Sequence, residues 1–252
     1  MEQNKKTFPS EEVTLPSRGL LYPKDHPLSK GIVEIKYMTA REEDILTNQN
    51  FIKNGTVIDK LLQSLIVTKF DYNDLLVGDK NAILIAARIL GYGAEYTFDY
   101  KEQEVTLDLS EIKDREFDDS LIANKDNPNE FEYTLPFSKK QVTFKFLTHG
   151  DDRKIDTEIK GLKKISKTKN VENVTRWKHV ILSIDGDYTK NTVREFVDSQ
   201  FLARDTREFR NYINQIQPNV DLEVDLELPD GTLQEGVTLP IGISFFWPDV
   251  DV

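Results

Sequence analysis

What most constrains this chain is the change of its hydrophobic period along the sequence. Apolar residues recur at helical spacing from 39 to 93, alternate with polar ones from 95 to 146, return to helical spacing from 155 to 216 and alternate again from 220. A helix shows one face every 3.6 residues and a strand every two, so neither an all-α nor an all-β fold accommodates both patterns. The expected class is α+β, with an N-terminal three-helix segment, an inserted four-stranded antiparallel β module, a second helical segment and a C-terminal β hairpin. The segments are 1–38, an extended arm with a short strand, then 39–93, 94–147, 148–218 and 219–252, with 39–93 and 148–252 forming one domain.

In the arm, Pro9, Pro16, Pro23, Pro27 and Gly19 leave no room for a helix, and Val33, Ile35 and Tyr37 share one face of the short strand. Thr39-Ala-Arg-Glu42 is a capping-box start for a first helix carrying Ile45, Leu46 and Ile52 and stopping near Asn54-Gly55. Val57, Ile58, Leu61, Leu62, Leu65 and Ile66 line one face of a second helix. The third, 82–90, is apolar almost all round and is expected to be buried on most sides before Gly91 ends it. Burying each of its Ile and Leu side chains is worth roughly 1.5–3 kcal/mol gross. Arg88 within it therefore needs a carboxylate or a route to the surface.

Tyr96, Phe98 and Tyr100 opposite Val105, Leu107 and Leu109 read as one hairpin, and Phe131, Tyr133 and Leu135 opposite Val142, Phe144 and Phe146 as a second. Beyond Gly150, helical spacing links Ile155, Ile159 and Leu162, then Trp177, Val180, Ile181 and Ile184, then Val193, Phe196 and Val197 after Thr189. Asp205-Thr-Arg-Glu208 is a cap-like start for a helix through Phe209, Tyr212, Ile213 and Ile216, ended by Pro218. Val220, Leu222, Val224, Leu226 and Leu228 then alternate with acids ahead of a Pro229-Asp-Gly231 turn.

The chemistry-bearing residues select no enzyme. With no Cys, disulfides, thiolate zinc sites, iron–sulfur clusters and Cys nucleophiles are excluded. The three histidines, His26, His149 and His179, lie in no ligand spacing, and His149-Gly-Asp-Asp152 reads as a turn with a helix cap. Asp185-Gly-Asp187 opens like a calcium loop, but Lys190 stands where that loop needs Gly and Phe196 where it needs a bidentate Glu. Phosphate-cradling glycine patterns and Gly-x-Ser-x-Gly are missing, so neither cofactor nor metal is expected. The net charge of −11, and a run 160–169 with five lysines but no interleaved aromatic or arginine, point away from nucleic acid. The longest apolar run is broken by Arg88 and the first ten residues hold no signal-like apolar stretch, so neither a membrane span nor secretion is expected and the host or cell cytoplasm is the expected location. Aromatic-dense strands and the terminal Phe245-Phe-Trp247 are rigid anchors of the kind that dominate protein interfaces, which raises assembly above catalysis.

Four strings carry a resemblance. They are Leu15-Pro-Ser-Arg-Gly-Leu-Leu-Tyr-Pro23, Ile35-Lys-Tyr-Met-Thr-Ala-Arg-Glu-Glu-Asp-Ile-Leu-Thr-Asn-Gln-Asn50, Asn81-Ala-Ile-Leu-Ile-Ala-Ala-Arg-Ile-Leu-Gly-Tyr-Gly93 and Pro240-Ile-Gly-Ile-Ser-Phe-Phe-Trp-Pro-Asp249. Together, from about Val13 to Asp249, the chain resembles the base-plate protein family of T-even-like contractile-tailed phages, the group that includes the baseplate hub assembly protein. The resemblance implies a non-enzymatic hub component or assembly factor, made in the host cytoplasm and contacting other baseplate hub or tail proteins. An alternative is a tape-measure-protein chaperone absent from the virion, with the 82–90 helix opening to bind its client, and a third is a tail-associated wall-degrading enzyme. No catalytic residue comes with the family. The partner-binding positions it points to are Arg18, Gly19, Leu20, Leu21 and Tyr22 in an N-terminal arm whose Leu20, Leu21 and Tyr22 need cover, either packed on its own domain or docked on a neighbouring subunit, Arg41, Glu42, Glu43 and Asp44 on the first helix, and Trp247 near the C-terminal end.

Overall fold

The computed structural model describes residues 9–115, 117–165, 171–229 and 231–246. Strand β1 (Ser10–Thr14) pairs antiparallel with β2 (Ile32–Lys36), Val13 opposite Val33, so the arm begins as half of a two-stranded sheet. The predicted first helix is two, α1 (Ala40–Leu46) and α2 (Gln49–Lys53), because the Asn48 side chain accepts from the amides of Asn50 and Phe51 and starts a new cap. Helix α3 (Val57–Leu65) buries Val57, Leu61, Leu62 and Leu65, the face its spacing marks. Helix α4 (Val77–Tyr92) begins five residues ahead of the apolar run and buries Ala82, Ile83, Leu84, Ile85, Ala87 and Arg88.

The two expected hairpins form, but not as one four-stranded module. Strands β3 (Glu95–Tyr100) and β4 (Gln103–Asp108) make their own two-stranded sheet, with Tyr96 opposite Leu107 and Phe98 opposite Val105. After β5 (Asp114–Arg115), β6 (Phe131–Thr134) and β7 (Gln141–Phe144) pair with Phe131 opposite Phe144 and Tyr133 opposite Val142. Helix α5 (His149–Ile165) precedes α6 (Glu172–Val180), which ends at Val180 although the apolar spacing predicts a helix as far as Ile184. The next residues are strand β8 (Ile181–Ile184), which adds to β7 as the third strand of that sheet. Val180, Ile181 and Ile184 fit a helix face by spacing, yet the β-branched run is better accommodated on a pleated surface.

Helix α7 (Lys190–Glu195) runs into a π turn at Phe196–Gln200, and α8 (Ala203–Ile216) starts two residues before Asp205. Asp205 does not cap α8: its carboxylate accepts from Phe137 N (2.8 Å) and Ser138 N (3.0 Å), tying α8 to the turn between β6 and β7. Strand β9 (Asn219–Val220) pairs with β5. The C-terminal hairpin is β10 (Glu223–Glu227) with β11 (Leu233–Thr238), followed by a single helical turn, α9 (Ile243–Phe246).

The fold is thus α+β, with nine α-helices and several small antiparallel sheets among the described residues. One hydrophobic cluster runs from Leu15 to Phe246, centred on α4, and a small satellite joins Val105 of β4 to Leu226, Leu228 and Val237 of the last hairpin. Gly78 marks how closely α4 packs on the chain entering β9, since a Cβ there would lie 1.9 Å from the Pro218 carbonyl oxygen. Among the described residues, no helix is long and apolar enough to cross a membrane.

Candidate functional site

The arm is built into the core. Arg18 and Gly19 turn the chain with φ of 52° and 75°, and a Cβ at Gly19 would sit 2.5 Å from the Gly31 amide, so only glycine permits this approach. Asp79, in the first turn of α4, receives the loop: one oxygen accepts from Ser17 N (2.9 Å), the other from Ser17 Oγ (2.7 Å) and Tyr22 Oη (2.7 Å). Tyr22 Oη in turn accepts from the Leu76 amide at 3.0 Å. Burial pushes the Asp79 carboxyl up, and the bonds from Tyr22 and Ser17 pull it partly back. Burial beside that carboxylate also pushes the Tyr22 phenol up, keeping it a neutral donor.

Of the two readings of the arm, the placement matches the one packed on its own domain. Gly19, Leu21 and Tyr22 are buried and Leu20 is half-buried against the core. Arg18 alone of this group is exposed, its guanidinium bonded to the Phe117 carbonyl at 2.9 Å and to the Asp119 carboxylate.

On α1, Arg41 and Asp44 are exposed, Glu43 is half-buried with its charge near the Tyr92 phenol, and Glu42 is fully buried. Glu42 accepts from Lys36 Nζ (2.8 Å), Ser64 Oγ (2.8 Å), Thr39 N (3.0 Å) and Thr39 Oγ1 (2.7 Å), the last two closing the predicted capping contact. Burial pushes its carboxyl up, but these donors outweigh that and hold it at about 2. Glu42 is accordingly an internal tie between β2, α1 and α3, with no surface to offer a partner. Trp247 lies outside the described residues.

Arg88 corrects one expectation. Neither a carboxylate nor solvent receives it; three carbonyl oxygens do, from Phe245 (2.7 Å), Gly93 (2.7 Å) and Glu95 (3.0 Å). Its guanidinium also lies 5.5 and 5.7 Å from the ring centres of Tyr92 and Tyr96. Burial pulls its pKa down. The 82–90 helix is therefore clamped at both ends, by Asp79 and by Arg88, which speaks against its opening to hold a client.

The His149 turn folds as the helix cap expected: Thr148 Oγ1 accepts from Asp151 N at 3.3 Å, while the Asp151 carboxylate accepts from Thr148 N at 3.2 Å. His149 is buried, its ring edge-on to Tyr72 at 4.6 Å and its Nδ1 3.8 Å from Asp59, which Lys80 already holds at 2.6 Å. Burial pulls the imidazole pKa down, so it is neutral and packed at neutral pH.

Two concave surfaces flank α6, and sequence reasoning found neither. The first, about 240 Å³, opens between α6 and α8, with Trp177, Val180 and Ile213 on its walls and Val77, Phe146 and Leu147 below. Three cations, Lys145, Arg176 and Arg210, reach it, and no carboxylate lines it. The second, about 490 Å³, lies on the other side of the helix, where Lys178, His179, Lys190 and Arg194 meet Glu130, Asp151 and Glu158 under the exposed ring of Tyr188. Residues 139–210 supply most of these walls and carry 17 Lys and Arg against 11 Asp and Glu, whereas residues 211–252 carry eight acids and no Lys or Arg. That charge asymmetry was countable in the sequence; the groove itself draws on distant segments.

Compared with protein-family models, with curated proteins and with solved structures, the chain matches none.

Proposed function

We propose that this chain is an assembly protein of a contractile phage tail, a hub component or assembly factor of the baseplate that acts through protein–protein contacts in the host cytoplasm. The observation that carries the reading is that the four strings behind the resemblance meet in one frame around α4. Ser17 and Tyr22 of the first bond Asp79 beside the third, Met38 of the second packs against Gly91 of the third, and Arg88 of the third holds the Phe245 carbonyl of the fourth.

Among the described members of the expected partner-binding set, Arg18, Arg41 and Asp44 are exposed, which supports assigning the contacts to them. The polar clusters around Asp79, Glu42 and His149 are buried ties between elements, so the geometry supports binding better than catalysis. Interrupting the reading frame in the phage that encodes the chain tests the reading by electron microscopy of the lysate. The expected result is filled heads without tails, restored by a wild-type copy in trans; normal tailed particles would refute it.

A further inference from the structure

The cleft between α6 and α8 is shaped for a ligand that the chain itself does not supply among its described residues. We infer that it is the docking site for an acidic segment of a partner protein, which seats one aromatic or leucine side chain against Trp177 and sets carboxylates on Arg176 and Arg210. The inference deepens the assembly reading and rests on it for the expectation that the occupant is a polypeptide.

Charge complementarity carries the choice of occupant. In a chain of net charge −11, a groove reached by three cations and lined by no carboxylate is a local inversion of the protein's own field. The cations differ in how far they are already neutralised. Lys145 holds Asp151 at 2.7 Å and Arg176 holds Asp152 at 3.2 Å, both from α5 outside the groove. Arg210 lies 5.9 Å from the centre of the Trp177 ring and has no carboxylate at ion-pair distance among the described residues. A planar guanidinium already oriented by an aromatic ring takes a carboxylate bidentately with little further ordering. The apolar walls and floor add what a simple anion would not use, and a volume of about 240 Å³ suits one large side chain rather than a whole helix.

The test uses the full chain and fluorescein-labelled polymers of defined chemistry, read by anisotropy: a random copolymer of glutamate and tyrosine, polyglutamate, and heparin. The copolymer should bind saturably and about tenfold more tightly than polyglutamate or heparin. Arg176→Ala and Arg210→Ala, both at exposed positions, should each weaken it by about tenfold, while Arg153→Ala, an exposed arginine outside the groove, should leave it unchanged. Equal binding of all three polymers would reduce the site to a general polyanion patch, and copolymer binding unaffected by Arg210→Ala would place it elsewhere; either overturns the inference. Concentration-dependent self-association of the chain alone, lost in Arg210→Ala, would make the acidic 211–252 region of a second copy the occupant and overturn it as well. Each of these failures leaves the assembly reading to be judged by particle formation.

Discussion

Replacing Glu42 by glutamine removes a buried charge on which β2, α1 and α3 all converge. The side chain is 0% exposed and accepts from Lys36, Ser64 and twice from Thr39. Its carboxyl is held at about 2 in the folded chain against 4.5 when unperturbed. Because the folded pKa lies below the unfolded one, the stabilisation is fully present above pH 4.5 and is lost as pH falls through the window from 4.5 towards 2. That difference is worth about 3 kcal/mol at neutral pH, at 1.36 kcal/mol for each tenfold change in proton affinity. Glutamine keeps the volume and one acceptor but leaves the Lys36 ammonium, 19% exposed, without its counter-charge. Urea unfolding of wild type and Glu42→Gln, followed by circular dichroism from pH 7 to pH 2.5, should show a gap of about 2–3 kcal/mol at pH 7 that closes steadily below pH 4.5. A gap that stays constant across this range would refute the linkage, and one below about 0.5 kcal/mol at pH 7 would refute the role of the cluster.

Three further outcomes follow from the same packing. Tyr22→Phe strands the Leu76 amide and removes one donor from Asp79, and should cost about 1–3 kcal/mol in denaturant unfolding. Arg88→Lys cannot reach three carbonyls at once with a single ammonium, so about 2–3 kcal/mol should be lost, with increased proteolysis of the C-terminal turn as a second readout. Deleting residues 1–24 removes β1 and the buried Leu15, Leu21 and Tyr22, and should yield an unfolded chain; a folded, monodisperse product would restore the docking-arm reading.

Elements defined by their own spacing were legible in the sequence. The buried face of α3 is the one its apolar repeat marks, and both hairpins form where alternation puts them, with Phe98 opposite Val105 and Tyr133 opposite Val142, although Tyr100 pairs with Gln103 and Leu109, Leu135 and Phe146 fall beyond the strands. Features decided by distant partners were not. β8 is a strand because β7 offers it an edge, and within 177–184 only the β-branched Val180, Ile181 and Ile184 lean that way against a spacing that also fits a continuing helix. The two hairpins join different sheets because β4 packs on the C-terminal hairpin, over a hundred residues away in sequence. The Arg18–Tyr22 loop read as either a self-packed or a docking arm because its cover comes from the distant Asp79 and Leu76, and Asp205 looked like a helix cap because its amide donors lie in the turn at Phe137. The groove beside Trp177 combines residues from 77 to 217, so only its cationic bias was readable beforehand.

The central claim is that this chain builds tails by touching other tail proteins. Gradient sedimentation of infected-cell extracts through the latent period, with chemical cross-linking and mass spectrometry of each fraction, tests it most directly. The chain should cosediment with baseplate intermediates and cross-link through surfaces that include Arg18, Arg41 or Asp44. A chain found only as a free species at every time, while baseplate intermediates accumulate and mature without it, would contradict the account.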